Sequence, residues 1–171
     1  MKKSFKFLVF IAVFVLFGYL GYGVISKIQH KDNVEKTLQS IQEFSFKTLN
    51  GQDFTKSNLK PNTPTVFIYF NTECDYCQHE AKSISKTIAQ FGNTQLLFVS
   101  TEAAETIKTF AEHYNLLNKP NITFLNDTAY TFSNRFDATS IPYVLIYDGN
   151  QNLIKKHKGQ LKAEIILQLL N

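Results

Sequence analysis

The sequence has no tryptophan, one methionine and only two cysteines, Cys74 and Cys77. Two cysteines exclude the dense disulfide framework that staples small secreted domains. They also argue against zinc, which commonly takes two ligand pairs, because only His79 lies on a neighbouring turn while His30, His113 and His157 are scattered. Position 78 is Gln, so the C-x-x-C-H pattern of haem attachment is absent. No metal or other cofactor is expected. Low-complexity tracts and internal repeats are missing too, and 171 residues suffice for one domain with its own core plus an N-terminal segment.

Acidic residues are missing from the first 30 positions, which hold Lys2, Lys3, Lys6 and Lys27. The 18 basic residues less those four equal the 14 acidic ones, so the net charge of +4 resides entirely in that segment. A nucleic-acid binder carries its excess on the folded domain, and no nucleic-acid partner is expected. Here the lysines flank Phe7 to Ile25, a run without a charge that as a helix matches a bilayer core of ~30 Å. The lysine distribution favours the N-terminus inside and the domain outside. Residues 1–28 therefore read as a single-pass transmembrane signal-anchor, 29–42 as a helical spacer and 43–171 as an extracytoplasmic domain. The competing reading is a cleaved signal peptide, which usually has a shorter apolar region and an A-x-A-like site. Either way the domain enters a disulfide-permissive compartment.

The domain's pattern is that of an α/β fold. Phe44 to Thr55 alternates apolar and polar residues around Asn50-Gly51, a hairpin signal. Thr65 to Phe70 is a β-branched and aromatic run suited to a central buried strand. Residues 74–91 read as a helix with Ala81, Ile84, Ile88 and Phe91 on its apolar face. A strand at 95–100 precedes a second amphipathic helix, for which Thr101 is the expected N-cap. Ile122 to Leu125 is strand-like, a polar helical segment runs through Arg135, and two strands flank Asp148-Gly149-Asn150 before a final apolar-faced helix. Strands alternating with helices predict a sheet covered on both faces, and the last hairpin makes it mixed.

Cys74-Asp75-Tyr76-Cys77 follows the central strand and opens a helix. Unpaired backbone N–H groups and the positive end of the helix dipole then face Cys74 and favour the thiolate, the attacking species. Cys77, one helical turn on, is placed to resolve a mixed disulfide. A passive disulfide closing so small a loop would constrain the unfolded chain little.

The segment FNTECDYCQHEA after a buried strand, with SIPYVLIYDGN further on, resembles the thioredoxin superfamily. Within it, the opening hairpin, the Asp127-containing segment and the Asp148-Gly149-Asn150 turn are similar to the membrane-tethered TlpA/ResA-type thiol–disulfide oxidoreductases, part of the wider AhpC/TSA–redoxin group. The resemblance implies a thioredoxin-like fold: a central mixed β-sheet flanked by helices, with an added N-terminal hairpin. It implies that Cys74 and Cys77 are the redox pair, that Glu80 tunes the thiols or relays protons, and that Ile141-Pro142 is a cis-proline loop. Tyr76, Ile141 and Pro142 fall on its substrate-facing surface. The sequence departs from this pattern in several places. Glu73 replaces a tryptophan, Asp75-Tyr76 lacks the frequent proline, Lys82 replaces another proline, and Ile68 replaces thioredoxin's buried acid.

Asp75 and Glu73 flank the nucleophile, and like charge disfavours a thiolate. A less stabilised thiolate accompanies a more reducing couple, which favours a reductase acting on protein disulfides in the bacterial cell envelope. Such a reductase implies an electron donor across the membrane. The rivals are a disulfide-forming oxidase with the same residues, a non-catalytic anchored binding module, and a peroxidase. The peroxidase pattern P-x-x-x-T/S-x-x-C fails at Phe67 and Asn71, and Arg135 is the chain's only arginine.

Overall fold

The computed structural model describes residues 17–23 and 34–170. The expected signal-anchor lies mostly outside them. Its described part, residues 17–23, is helical and exposed, and among the described residues no helix is long and apolar enough to cross a membrane.

Residues 38–171 form one compact unit. It begins earlier than expected, since Leu38 and Ile41, assigned to the spacer, are each only 1% exposed. Ser40 bridges to Asn152, and the Leu153 N–H donates to the Gln39 carbonyl at 2.9 Å. Within the described part of the spacer the helix is limited to residues 34–38.

Seven strands follow: β1 (Ser45–Thr48), β2 (Asp53–Thr55), β3 (Thr65–Tyr69), β4 (Gln95–Ser100), β5 (Ile122–Asn126), β6 (Tyr143–Tyr147) and β7 (Leu153–Lys158). Their order in the sheet is β2-β1-β5-β4-β3-β6-β7. The central β3, β4 and β5 are parallel, as their helical crossovers require, and the two hairpins join antiparallel at either side. The sheet is mixed, as expected. The β1–β2 turn depends on Gly51, whose φ of 80° lies where a side chain is strained.

Four helices cover the sheet: α1 (Asp75–Thr87), α2 (Ala104–His113), α3 (Thr131–Arg135) and α4 (Ala163–Leu170). Every residue of β3 is buried, which is why its sequence is continuously apolar rather than alternating. Val66 and Ile68 point into a core with Ala81 and Ile84 of α1, Ile107 and Phe110 of α2, and Ala163 and Ile166 of α4. Phe67 points to the other face. Its ring lies 5.5 Å from Phe44, 5.5 Å from Phe136 and 5.8 Å from Phe132, in a cluster roofed by α3.

Two local expectations change. The first long helix ends at Thr87 and continues as a 3-10 turn, Ile88–Phe91, before Gly92 at φ 54° stops it. Thr101 is not the cap of α2, which starts three residues later after Ala103 with no side-chain cap. Its neighbour Glu102 is drawn instead into the loop before Cys74.

Candidate redox site

The site sits where β3 runs out. In the antiparallel β3–β6 pair Tyr69 is opposite Tyr143, so the end of β3 and the start of β6 lie at one edge of the core. Cys74 and Pro142 each stand just beyond these ends. Residues 71–73 make the turn, with the Cys74 N–H donating to the Asn71 carbonyl at 3.3 Å and the Glu73 N–H to Asn71 Oδ1 at 2.9 Å.

Cys74 is the N-cap residue of α1, in extended conformation (φ −85°, ψ 113°), and its carbonyl accepts the Gln78 N–H at 3.0 Å. It is half-buried, whereas Cys77 is only 3% exposed. Both are free thiols, set three residues apart across the first turn of α1. Burial pushes the Cys77 thiol well up from its ordinary range, and its contact with Cys74 and the charge of Glu80 add to this, while the Asn71 backbone opposes it. The accessible sulfur is at the helix N-terminus and the protonated one is behind it. That arrangement suits attack by Cys74 and later resolution by Cys77.

Glu80 is fully buried, not on a solvated helix surface. It faces the approach to α4, where the Leu161 N–H donates to its Oε1 at 3.3 Å and the Ala163 N–H to Ser83 Oγ at 3.1 Å. Its Oε2 has no partner among the described residues. Burial pushes the carboxyl up to about 8, with the Leu161 N–H pulling the other way. A carboxyl that titrates near neutrality one turn beyond a buried thiol is suited to proton transfer.

The Ile141–Pro142 bond is cis. Pro142 is buried and its carbonyl accepts the Gly159 N–H at 2.8 Å. Ile141 is 42% exposed and Tyr76 64% exposed, two apolar side chains presented to solvent.

Thr72, Gln78, Ser100, Glu102 and Asn126, to which the sequence assigned no role at this site, hold the turn. The Thr72 N–H donates to Glu102 Oε2 at 2.8 Å and its hydroxyl to Oε1 at 2.7 Å. The Thr72 carbonyl accepts Gln78 Nε2 at 2.8 Å. Ser100 Oγ donates to Glu102 Oε2 at 3.0 Å, and Asn126 Nδ2 donates to the Glu102 carbonyl. Glu102 thus ties the ends of β4 and β5 to the residue two before Cys74. A signal for it was present, since it follows the end of a parallel strand next to β3, where sheets of this kind build their sites.

The sequence from Thr37 to Glu164 matches the AhpC/TSA family over 37–164. The chain belongs to that family. No curated protein matches the sequence. Among solved structures, this AhpC/TSA chain is similar to DsbF of Mycobacterium tuberculosis (24% identity, 78% of this chain and 93% of that one, TM-score 0.64). It is also similar to a secreted M. tuberculosis disulfide oxidoreductase homologous to E. coli DsbE (23% identity, 78% and 96%, TM-score 0.62). A third is the peroxidoxin BcpB of the same organism (15% identity, 76% and 92%, TM-score 0.65). Identities this low speak to the fold alone, which is thioredoxin-like.

Proposed function

We propose that this AhpC/TSA-family protein is a thiol–disulfide oxidoreductase that reduces disulfides in proteins outside the cytoplasm, with Cys74 as nucleophile and Cys77 as resolving thiol. The observation that carries the reading is the pairing of a half-exposed Cys74 at the N-terminus of α1 with a buried Cys77 three residues on. The secreted disulfide oxidoreductase among its structural neighbours supports it.

Cys74, having lost its proton to solvent, attacks one sulfur of a substrate disulfide. The other substrate sulfur leaves as a thiolate and takes a proton from water. In the fraction of molecules whose Glu80 is ionised, which grows as the pH approaches 8, Cys77 then passes its proton to that carboxylate and attacks Cys74. The second substrate sulfur leaves, collects the proton from Glu80, and the protein holds a Cys74–Cys77 disulfide. Two electrons and two protons have gone to the substrate, and a dithiol donor must return them. Tyr76 and Ile141 offer apolar surface to the incoming segment, and the Ile141 backbone lies at a strand end suited to strand addition. The uncharged run from Phe7 to Ile25 supports anchoring in the bacterial membrane, with the donor reached across it.

The acids around the pair support reduction over oxidation. Glu73 and Asp75 are exposed neighbours of Cys74, and Glu80 lies beyond Cys77. The carboxylates of Glu73 and Asp75 place like charge beside a Cys74 thiolate, which supports a less stabilised reduced form. Peroxidase chemistry fits poorly. Phe67 is buried in the aromatic cluster, and Arg135 Nη1 donates to the Glu43 carbonyl at 3.0 Å. The deciding measurement is the Cys74–Cys77 reduction potential of the full-length protein in defined redox buffers. A value below about −230 mV is expected, whereas one near the roughly −120 mV of a strong oxidant reverses the direction to disulfide formation. Retained turnover in Cys74→Ser would overturn the nucleophile assignment.

A further inference from the structure

A groove runs between α1 and α2, beginning beside the nucleophile. Its near part, about 500 Å³, is lined by Thr72 and Glu73, just before Cys74, and by Glu105, with Phe110 and Tyr114 contributing aromatic surface. Its far part, about 430 Å³, shares Gln78, His113 and Tyr114 with the first. There the lining changes sign, to His79, Lys82, Lys86 and His113 with no acid. These volumes are those of ligand-sized clefts.

His79, Lys82 and Lys86 share one side of α1 because they are spaced three and four residues apart. On their other side a further depression adds Lys162, with Glu164 as the single acid in its lining. Among the described residues none of Lys82, Lys86 and Lys162 takes part in an ion pair. The domain as a whole balances its charges, so this concentration is local.

We infer that the far part of this groove receives an acidic segment of the substrate protein, close in sequence to the cysteine that Cys74 attacks. The inference rests on the oxidoreductase reading and names the substrate class for it. The spacing sets where the acids must lie. Lys82 and Lys86 come eight and twelve residues after Cys74, about 12 and 18 Å along the helix at its ordinary rise. An extended chain covers those distances in about four to six residues. The attraction raises the encounter rate with acidic substrates and disfavours basic ones, and salt screens it.

The test uses the reduced full-length protein and three synthetic peptides. Each carries one internal disulfide with three Glu, three Gln or three Lys placed four to six residues from the cysteines on either side. Hydroxyethyl disulfide serves as an uncharged control. Peptide thiols are followed by chromatography at low ionic strength. The Glu peptide is expected to react roughly tenfold faster than the Lys peptide, with Gln between, and the spread is expected to shrink at high salt. Lys82→Glu/Lys86→Glu is expected to invert the order. Both positions are exposed, and circular dichroism checks the fold. A Lys82→Gln/Lys86→Gln variant is expected to narrow the spread. Equal rates for the three peptides, or an order unchanged in both variants, overturn this inference and leave the oxidoreductase reading standing. Failure to exchange with hydroxyethyl disulfide and with all three peptides overturns both.

Discussion

The most informative single substitution is Glu80→Gln. An isolated glutamate titrates near 4.5, and Glu80 is pushed up to about 8 by burial. Below pH 4.5 the carboxyl is protonated in folded and unfolded chains alike, and its stabilising contribution is fully present. As the pH rises from about 4.5 to about 8, the unfolded chain releases this proton while the folded one keeps it. Stability therefore falls across that window, by about 1.4 kcal/mol per pH unit at most, and levels off above pH 8. At pH 7 the accumulated cost is roughly 3 kcal/mol, a large part of a domain's usual margin. Glutamine keeps the shape and an acceptor for the Leu161 N–H but does not titrate. Its amide donors face the same unpartnered surroundings as Oε2, which costs about 1–3 kcal/mol at every pH.

The assay is urea unfolding of the reduced full-length protein at pH 5, 6, 7 and 8, wild type beside Glu80→Gln. Cys77, held above its ordinary range, does not ionise in this window, and the other groups are common to both proteins. The difference in pH dependence thus belongs to Glu80. Wild type is expected to lose roughly 3–4 kcal/mol more than the variant between pH 5 and pH 8. Parallel pH profiles would refute the assignment of a buried, proton-retaining carboxyl. The same variant is expected to slow the Cys77-dependent release of substrate far more than the initial attack by Cys74.

Glu102→Ala removes both acceptors of Thr72 and the partner of Ser100. A loss of about 2–4 kcal/mol is expected in urea unfolding, together with a shifted Cys74–Cys77 potential, and Glu102→Gln should recover part of each. An unchanged potential would reduce Glu102 to a purely structural brace. Cys77→Ser is expected to leave Cys74 able to attack, so that a covalent mixed disulfide with substrate accumulates and is seen by mass spectrometry. Its absence would mean that Cys74 is not the attacking sulfur.

The succession of elements follows from local pattern in the chain. Periodicity is local, so the all-apolar β3 run, the Asn50-Gly51 turn and the 3.6-residue spacing of α1 were legible without tertiary contacts. The position of Cys74 where a strand gives way to a helix was legible for the same reason, as was the mixed sheet. The limits of local reading appear in Thr101, a good capping residue bypassed because its neighbour Glu102 finds better partners in Thr72 and Ser100. They appear again in Leu38 and Ile41, whose apolar character was visible but whose destination in the domain core was not.

Which polar residues matter around Cys74 and Cys77 depends on packing between distant elements. Glu80 sits on α1 among polar neighbours and reads like any surface glutamate. Its burial arises because the approach to α4, some eighty residues later, packs over it and donates the Leu161 N–H. Likewise the Thr72–Glu102 contact spans thirty residues, and the change of sign along the α1–α2 groove arises from two helices brought side by side. Burial and proton affinity are properties of what surrounds a group. Here the surroundings come from distant parts of the chain, and no local pattern encodes them.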